Sequence, residues 1–202
     1  MSPLVAKPSS DASPPVSAKP PADPPRPAPP PRTEKLILRA HALDLHGLDT
    51  LPARDLLVFV GPDERPLQGL GGLVDWRLCG GLTRILEREL FDGRGGESLL
   101  TTSGRRLPVD RIFLFGTGRE DARDLLPEAL AVVGRAGGRE VAVAPFGEEE
   151  AAFVAVAERA ARAAYDAGIG TLTYLAEKVR TATKALVVVE AQNPWAVLEN
   201  SL

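Results

Sequence analysis

Cysteine occurs once in the 202 residues, at Cys79. That excludes an internal disulfide, a zinc knuckle and a Cys-x-x-Cys redox pair together. Histidine is nearly as scarce: His41 and His46 are the whole supply, so any histidine-based metal site or general base has to use them. No run approaches the ~20 apolar residues of a membrane span, and Met1 to Ser13 lacks the apolar stretch of a secretory leader. The sequence has no Gly-Lys pair for a P-loop and no Gly-x-Ser-x-Gly elbow for a serine nucleophile. A concentrated basic face is also missing, because arginines are interleaved with acids and the net charge is −3. Binding to phosphate backbones needs such a face to displace counterions. These absences predict a cytoplasmic protein with no nucleic-acid partner and no membrane association.

Proline, by contrast, is abundant and unevenly placed: 12 of the 19 prolines fall between Pro3 and Pro31. Around them stand alanine and small polar residues, with almost nothing bulky to bury against the entropy of ordering. Residues 1–33 are therefore predicted to be a disordered Pro/Ala-rich arm, and residues 34–202 a single α/β domain. The arm carries +2 and the remainder −5. Ala6-Lys7-Pro8 and Ala18-Lys19-Pro20 form a degenerate repeat, and Pro24 to Arg32 favours polyproline II because proline fixes φ. The spacing of Pro24, Pro27 and Pro30 suits aromatic-lined grooves. A plain linker is the preferred reading, since any proline-dense segment generates such spacings.

From Lys35 onward the pattern changes to alternating apolar segments. Leu36 to Leu43 reads as a first strand and Leu56 to Val60 as a second, buried one ended by Gly61-Pro62-Asp63. Leu67 to Val74 is a glycine-interrupted apolar stretch. Leu78, Leu82, Ile85 and Leu86 then keep helical spacing, with Asp75 available as cap. Ser98 to Thr102 and Arg111 to Phe115 read as strands joined by a turn at Gly104. A helix is expected to start at Asp124 to Pro127 and end at Gly134 to Gly138, followed by a strand at Glu140 to Ala144. Glu148 to Ala167 is the clearest helix: three acids oppose its dipole, Phe153, Ala157, Ala160 and Ala164 share a face, and Glu158 pairs with Arg162. Leu172, Leu175, Ala176 and Val179 suggest a shorter helix leading to a last strand at Ala185 to Val189. Alternating strands and helices with one antiparallel pair predict a three-layer α/β/α sandwich with a mixed, mostly parallel sheet.

Several of these segments resemble the N-terminal domain of the leucyl (cytosol) aminopeptidase family. The matching features are the strand Leu56 to Val60, Leu70-Gly71-Gly72-Leu73 before the helix at Leu78 to Leu82, and Phe91-Asp92-Gly93 with Gly96-Glu97 before a strand. The fullest match is Arg111-Ile112-Phe113-Leu114-Phe115-Gly116-Thr117-Gly118. The resemblance implies a macro-domain-like fold standing before a catalytic domain. In that family the catalytic domain holds two divalent metals and the enzymes are hexameric. Nothing here resembles the family's Asn-Thr-Asp-Ala-Glu-Gly-Arg-Leu metal motif. The expectation is therefore no enzyme activity, no metal and no cofactor, because two-metal hydrolysis depends on the whole ligand set.

What remains is a non-catalytic interaction or assembly module, partnered by itself or by another protein. The alternatives are a macro-domain-like binder of ADP-ribose or another nucleotide diphosphate, and an accessory subunit of a separately encoded metallo-aminopeptidase. Fold analogy places a ligand beside Gly71, Gly72, Gly116, Thr117 and Gly118. The dinucleotide fingerprint fails because Asp121 holds the third glycine position. His41, Asp44 and His46 are read as rim residues before metal ligands. Cys79 is read as a small buried hydrophobe on an apolar helix, and Trp76 and Trp195 as packing anchors. Ser98 and Ser103 have no activating partner in the sequence.

Overall fold

The computed structural model describes residues 34–144 and 150–199. The proline-rich arm and the acids Glu148 and Glu149 lie outside the described residues. Seven strands form one sheet in the order β3-β4-β2-β5-β6-β1-β7. They are β1 (Leu36–Ala42), β2 (Asp55–Val60), β3 (Ser98–Thr102), β4 (Arg111–Gly116), β5 (Glu140–Val143), β6 (Thr171–Ala176) and β7 (Ala196–Leu198). Every neighbouring pair is parallel except β3 and β4, which run antiparallel from Ser98 opposite Phe115 to Thr102 opposite Arg111.

Strand side chains alternate between two cores, as the period of two requires. Leu57, Phe113, Phe115, Val141, Val143, Leu172 and Tyr174 enter one core with α4 (Ala122–Arg135), α5 (Glu150–Ala167) and α6 (Val179–Gln192). Leu56, Val58, Ile112, Leu114, Ala142 and Leu175 enter the other with α1 (Leu45–Asp49), α2 (Gly69–Arg77) and α3 (Gly81–Glu87). Helices therefore cover both faces, and the central strands are apolar on both. Phe153, Ala157, Ala160 and Ala164 are all buried, giving α5 the face expected of it.

Four local expectations are corrected. The segment holding Leu172, Leu175 and Ala176 is the strand β6, not a helix, and is buried on both faces. Ala185 to Val189 lies inside α6, not in a strand; Ala182, Ala185, Leu186 and Val189 are buried while Val187 and Val188 face solvent, a helical spacing. Short apolar runs carry either period, and only the partner surfaces choose between them. The single helix expected around Leu78 is two helices. Cys79 (φ 53) and Gly80 (φ 76) break the chain between them, and Asp75, inside α2, caps α3 by accepting from the Leu82 and Thr83 amides at 2.7 and 3.0 Å. Finally, α4 starts earlier than Asp124: Asp121 is its cap, which leaves Pro127 inside the helix.

Two side-chain expectations also change. Arg162 pairs with Asp166 at 3.1 Å and not with Glu158. Trp76 is 71% exposed and lies outside both cores, whereas Trp195 packs against Tyr165 with the ring centroids 4.9 Å apart.

Candidate functional site

The C-terminal ends of β2 and β4 point the same way, and the chain leaves them on opposite faces of the sheet, toward α2 and α4. In parallel sheets that divergence opens a crevice beyond the strand ends. Here it forms a cleft of about 480 Å³. Leu57, Phe59, Leu70 and Ala144 supply its apolar lining, and Glu64, Gln68, Thr117, Glu120, Asp121 and Arg123 its polar groups.

Three backbone amides at this cleft, those of Gly61, Gln68 and Arg123, have carboxylate partners within the chain. The Glu64 carboxylate accepts from the Gly61 amide at 3.0 Å and from the Gln68 amide, at the start of α2, at 2.9 Å. Asp121 accepts from the Arg123 amide at 2.9 Å and pairs with the Arg123 guanidinium. That side-chain hydrogen bond holds the Asp121 carboxyl below the usual carboxylate range and raises the guanidinium in turn. A phosphate seeking a helix N-terminus uses the same amides and the same dipole. At the start of α4 the Arg123 amide is taken by Asp121, and just before α2 the Glu64 carboxylate holds the Gln68 amide.

Of the five positions named by fold analogy, Gly71 and Thr117 line this cleft. The other three answer to chain packing. A Cβ on Gly72 would come within 2.7 Å of the Leu67 carbonyl oxygen, and one on Gly116 within 2.0 Å of that of Arg94. Gly118 has φ +58 and would meet the Gly95 amide nitrogen at 2.8 Å. The loop around residues 93–95 lies directly on the Gly116–Gly118 turn.

Sequence reasoning missed Glu64 altogether. A carboxylate reaching back three residues and forward four has no local signature. Asp121 was legible only as an obstacle to a pyrophosphate, although an acid two residues before an amide it caps is a helix-start signal.

Asp44 caps α1, accepting from the Gly47 amide at 2.6 Å, and His41 Nε2 lies 2.9 Å from the Gly47 carbonyl oxygen. Among the described residues no group of three or more His, Cys, Asp or Glu is placed to hold a metal ion. Cys79 is exposed, not buried: the break between α2 and α3 turns it outward, with Arg106 Nη1 2.9 Å from its sulfur.

No protein-family model matches the chain. A probable cytosol aminopeptidase of Pseudomonas syringae pv. syringae is 32% identical over 102 residues, which are 48% of this chain and 20% of that protein. Its counterpart in Pseudomonas syringae pv. tomato is 32% identical over 72 residues, 36% of this chain and 14% of that protein. A solved tomato leucine aminopeptidase variant superposes with a TM-score of 0.55 at 20% identity, covering 79% of this chain and 37% of that one. The chain is similar to the N-terminal region of cytosol aminopeptidases. Its match spans at most a fifth of those relatives' length and leaves their catalytic domain uncovered. The macrodomain of Mycobacterium tuberculosis DarG superposes with a TM-score of 0.52 at 16% identity, covering 70% of this chain and 99% of that domain. The aminopeptidase-like chain thus has a macro-domain-like α/β fold. Among the described residues no helix is long and apolar enough to cross a membrane.

Proposed function

We propose that this chain is a non-catalytic interaction or assembly module of the aminopeptidase N-terminal kind, working in the cytoplasm. One observation favours this over a nucleotide-diphosphate binder. Glu64 and Asp121 occupy three amides at the cleft, Gly61 and Gln68 for the first and Arg123 for the second, and line it with two carboxylates. Bringing a phosphate there means displacing a carboxylate or placing like charges side by side. The partner is a second copy or another protein, and the arm through Pro24, Pro27 and Pro30 serves as linker or docking peptide.

The test is light scattering coupled to size exclusion, then affinity capture with and without residues 1–32, and calorimetry with ADP-ribose. An assembly or a specific captured partner, with no heat from ADP-ribose, is the expected result. Saturable heat from ADP-ribose would establish the binder instead.

A second reading, an accessory subunit of a separately encoded metallo-aminopeptidase, is favoured by the similarity to cytosol aminopeptidases. Its test is whether a purified metallo-aminopeptidase co-elutes with this chain and changes its rate of leucyl-anilide hydrolysis. The chain alone is expected to give no such hydrolysis with added manganese or zinc.

A further inference from the structure

The strand β3 ends the sheet, and among the described residues nothing pairs with its outer side. Which of its groups face out follows from the way the ladder starts. Gly96 (φ +74) donates to the Gly116 carbonyl oxygen at 3.2 Å, and the Gly116 amide donates to that of Glu97 at 2.8 Å, a bulge of the type that uses a left-handed glycine. Glu97 thus bonds inward. Antiparallel ladders alternate, so Ser98, Leu100 and Thr102 turn their amides and carbonyls away from β4.

Exposed edges are normally blunted by a charge, a proline or a bulge within the strand. The run Ser98-Leu99-Leu100-Thr101-Thr102 has no charge and no proline, and its bulge lies before it. Leu100, opposite Phe113 in the register, is 51% exposed. Charge does appear at the two ends: Glu97, whose carboxylate accepts from the Asp92 and Arg94 amides at 3.0 and 3.1 Å, precedes the strand, while Arg105 and Arg106, the latter donating to the Cys79 sulfur, follow it in the Gly104 turn. At the acidic end Arg94 is already paired with Asp92.

We infer that β3 joins β3 of a second copy, antiparallel and centred on Leu100, to make one continuous sheet across a two-fold axis. The charge pattern chooses this occupant. Antiparallel pairing of identical strands sets the Glu97 end of one copy against the arginine-bearing turn of the other, twice over by symmetry. Full overlap matches Ser98 with Thr102 of the other copy and Leu100 with its own counterpart. About six backbone hydrogen bonds form in that register, and both exposed leucines are covered. This rests on the assembly reading above and names its surface.

The test uses the full chain. Light scattering and sedimentation are expected to show a dimer that Leu100→Lys weakens at least about tenfold in Kd, since it sets two like charges directly opposite each other. Circular dichroism and thermal melting should leave Leu100→Lys folded, because the side chain points to solvent. In a Cys79→Ser background, Leu100→Cys is expected to form a disulfide-linked dimer under mild oxidation, the Cα atoms of such a pair lying about 5.5 Å apart. Thr102→Cys alone should not. A dimer that ignores Leu100→Lys and fails to cross-link at residue 100 would overturn the β3 interface while leaving assembly intact. A monomer at all concentrations would overturn self-association itself, and captured partners from the preceding experiment would then decide the broader reading.

Discussion

Asp55 and Arg111 stand opposite each other at the start of neighbouring strands β2 and β4 and share two hydrogen bonds, Nε to Oδ1 at 2.6 Å and Nη2 to Oδ2 at 2.8 Å. The carboxylate is only 1% exposed, and the guanidinium also donates to the Ala136 carbonyl oxygen at the end of α4. The hydrogen bonds to Asp55 raise the Arg111 pKa further. This pair ties the sheet to the last turn of a covering helix. Removing one partner strands a buried charge, which costs more than the pair contributes. Arg111→Leu is expected to lower stability by about 2–4 kcal/mol, measured by urea unfolding. Asp55→Leu with Arg111→Leu together should lose less than Arg111→Leu alone.

The Asp121 carboxyl, held low by Arg123, gives a pH prediction with a definite sign. Its folded pKa lies below its unfolded one. Its contribution to stability is therefore complete above the ordinary carboxylate range and disappears as pH falls through the lowered value. The pair is well exposed, so solvent screening keeps the effect small. Asp121→Asn, which keeps a capping oxygen, should change stability little at pH 7 and flatten the acid limb of the unfolding profile below pH of about 4.

Gly134 marks where α4 meets the end of α5. A Cβ there would come within 2.4 Å of the Ala167 carbonyl oxygen. Backbone cannot yield as a flexible side chain can, so Gly134→Ala is expected to destabilise by about 1–3 kcal/mol despite the better helix propensity of alanine. Equilibrium unfolding checks the sign: a more stable variant would refute the contact.

Cys79 is exposed in the turn between α2 and α3, where the sequence alone suggested burial. Its thiol should therefore react with Ellman's reagent in the native protein at a rate close to that in urea. Protection of tenfold or more in the native state would contradict this placement.

Residue type and order determined much of the architecture without help from distance. The runs Leu56 to Val60 and Arg111 to Phe115 are apolar on both faces, which suits only strands covered on both sides. The turn at Gly104 closes the antiparallel pair, and the alanine-rich face of α5 is legible from its period of 3.6. Tertiary structure decided what local pattern leaves degenerate. Residues 171–176 became a strand because β1 and β5 flank them, and residues 185–189 a helix because one face had a core to meet. Glu64 reaches its two amides, and Trp76 and Cys79 face solvent, only because of where the folded chain sets them. A short apolar run or a lone acid fits more than one partner, and the energy that selects among them arises from contacts made after the chain has turned back on itself.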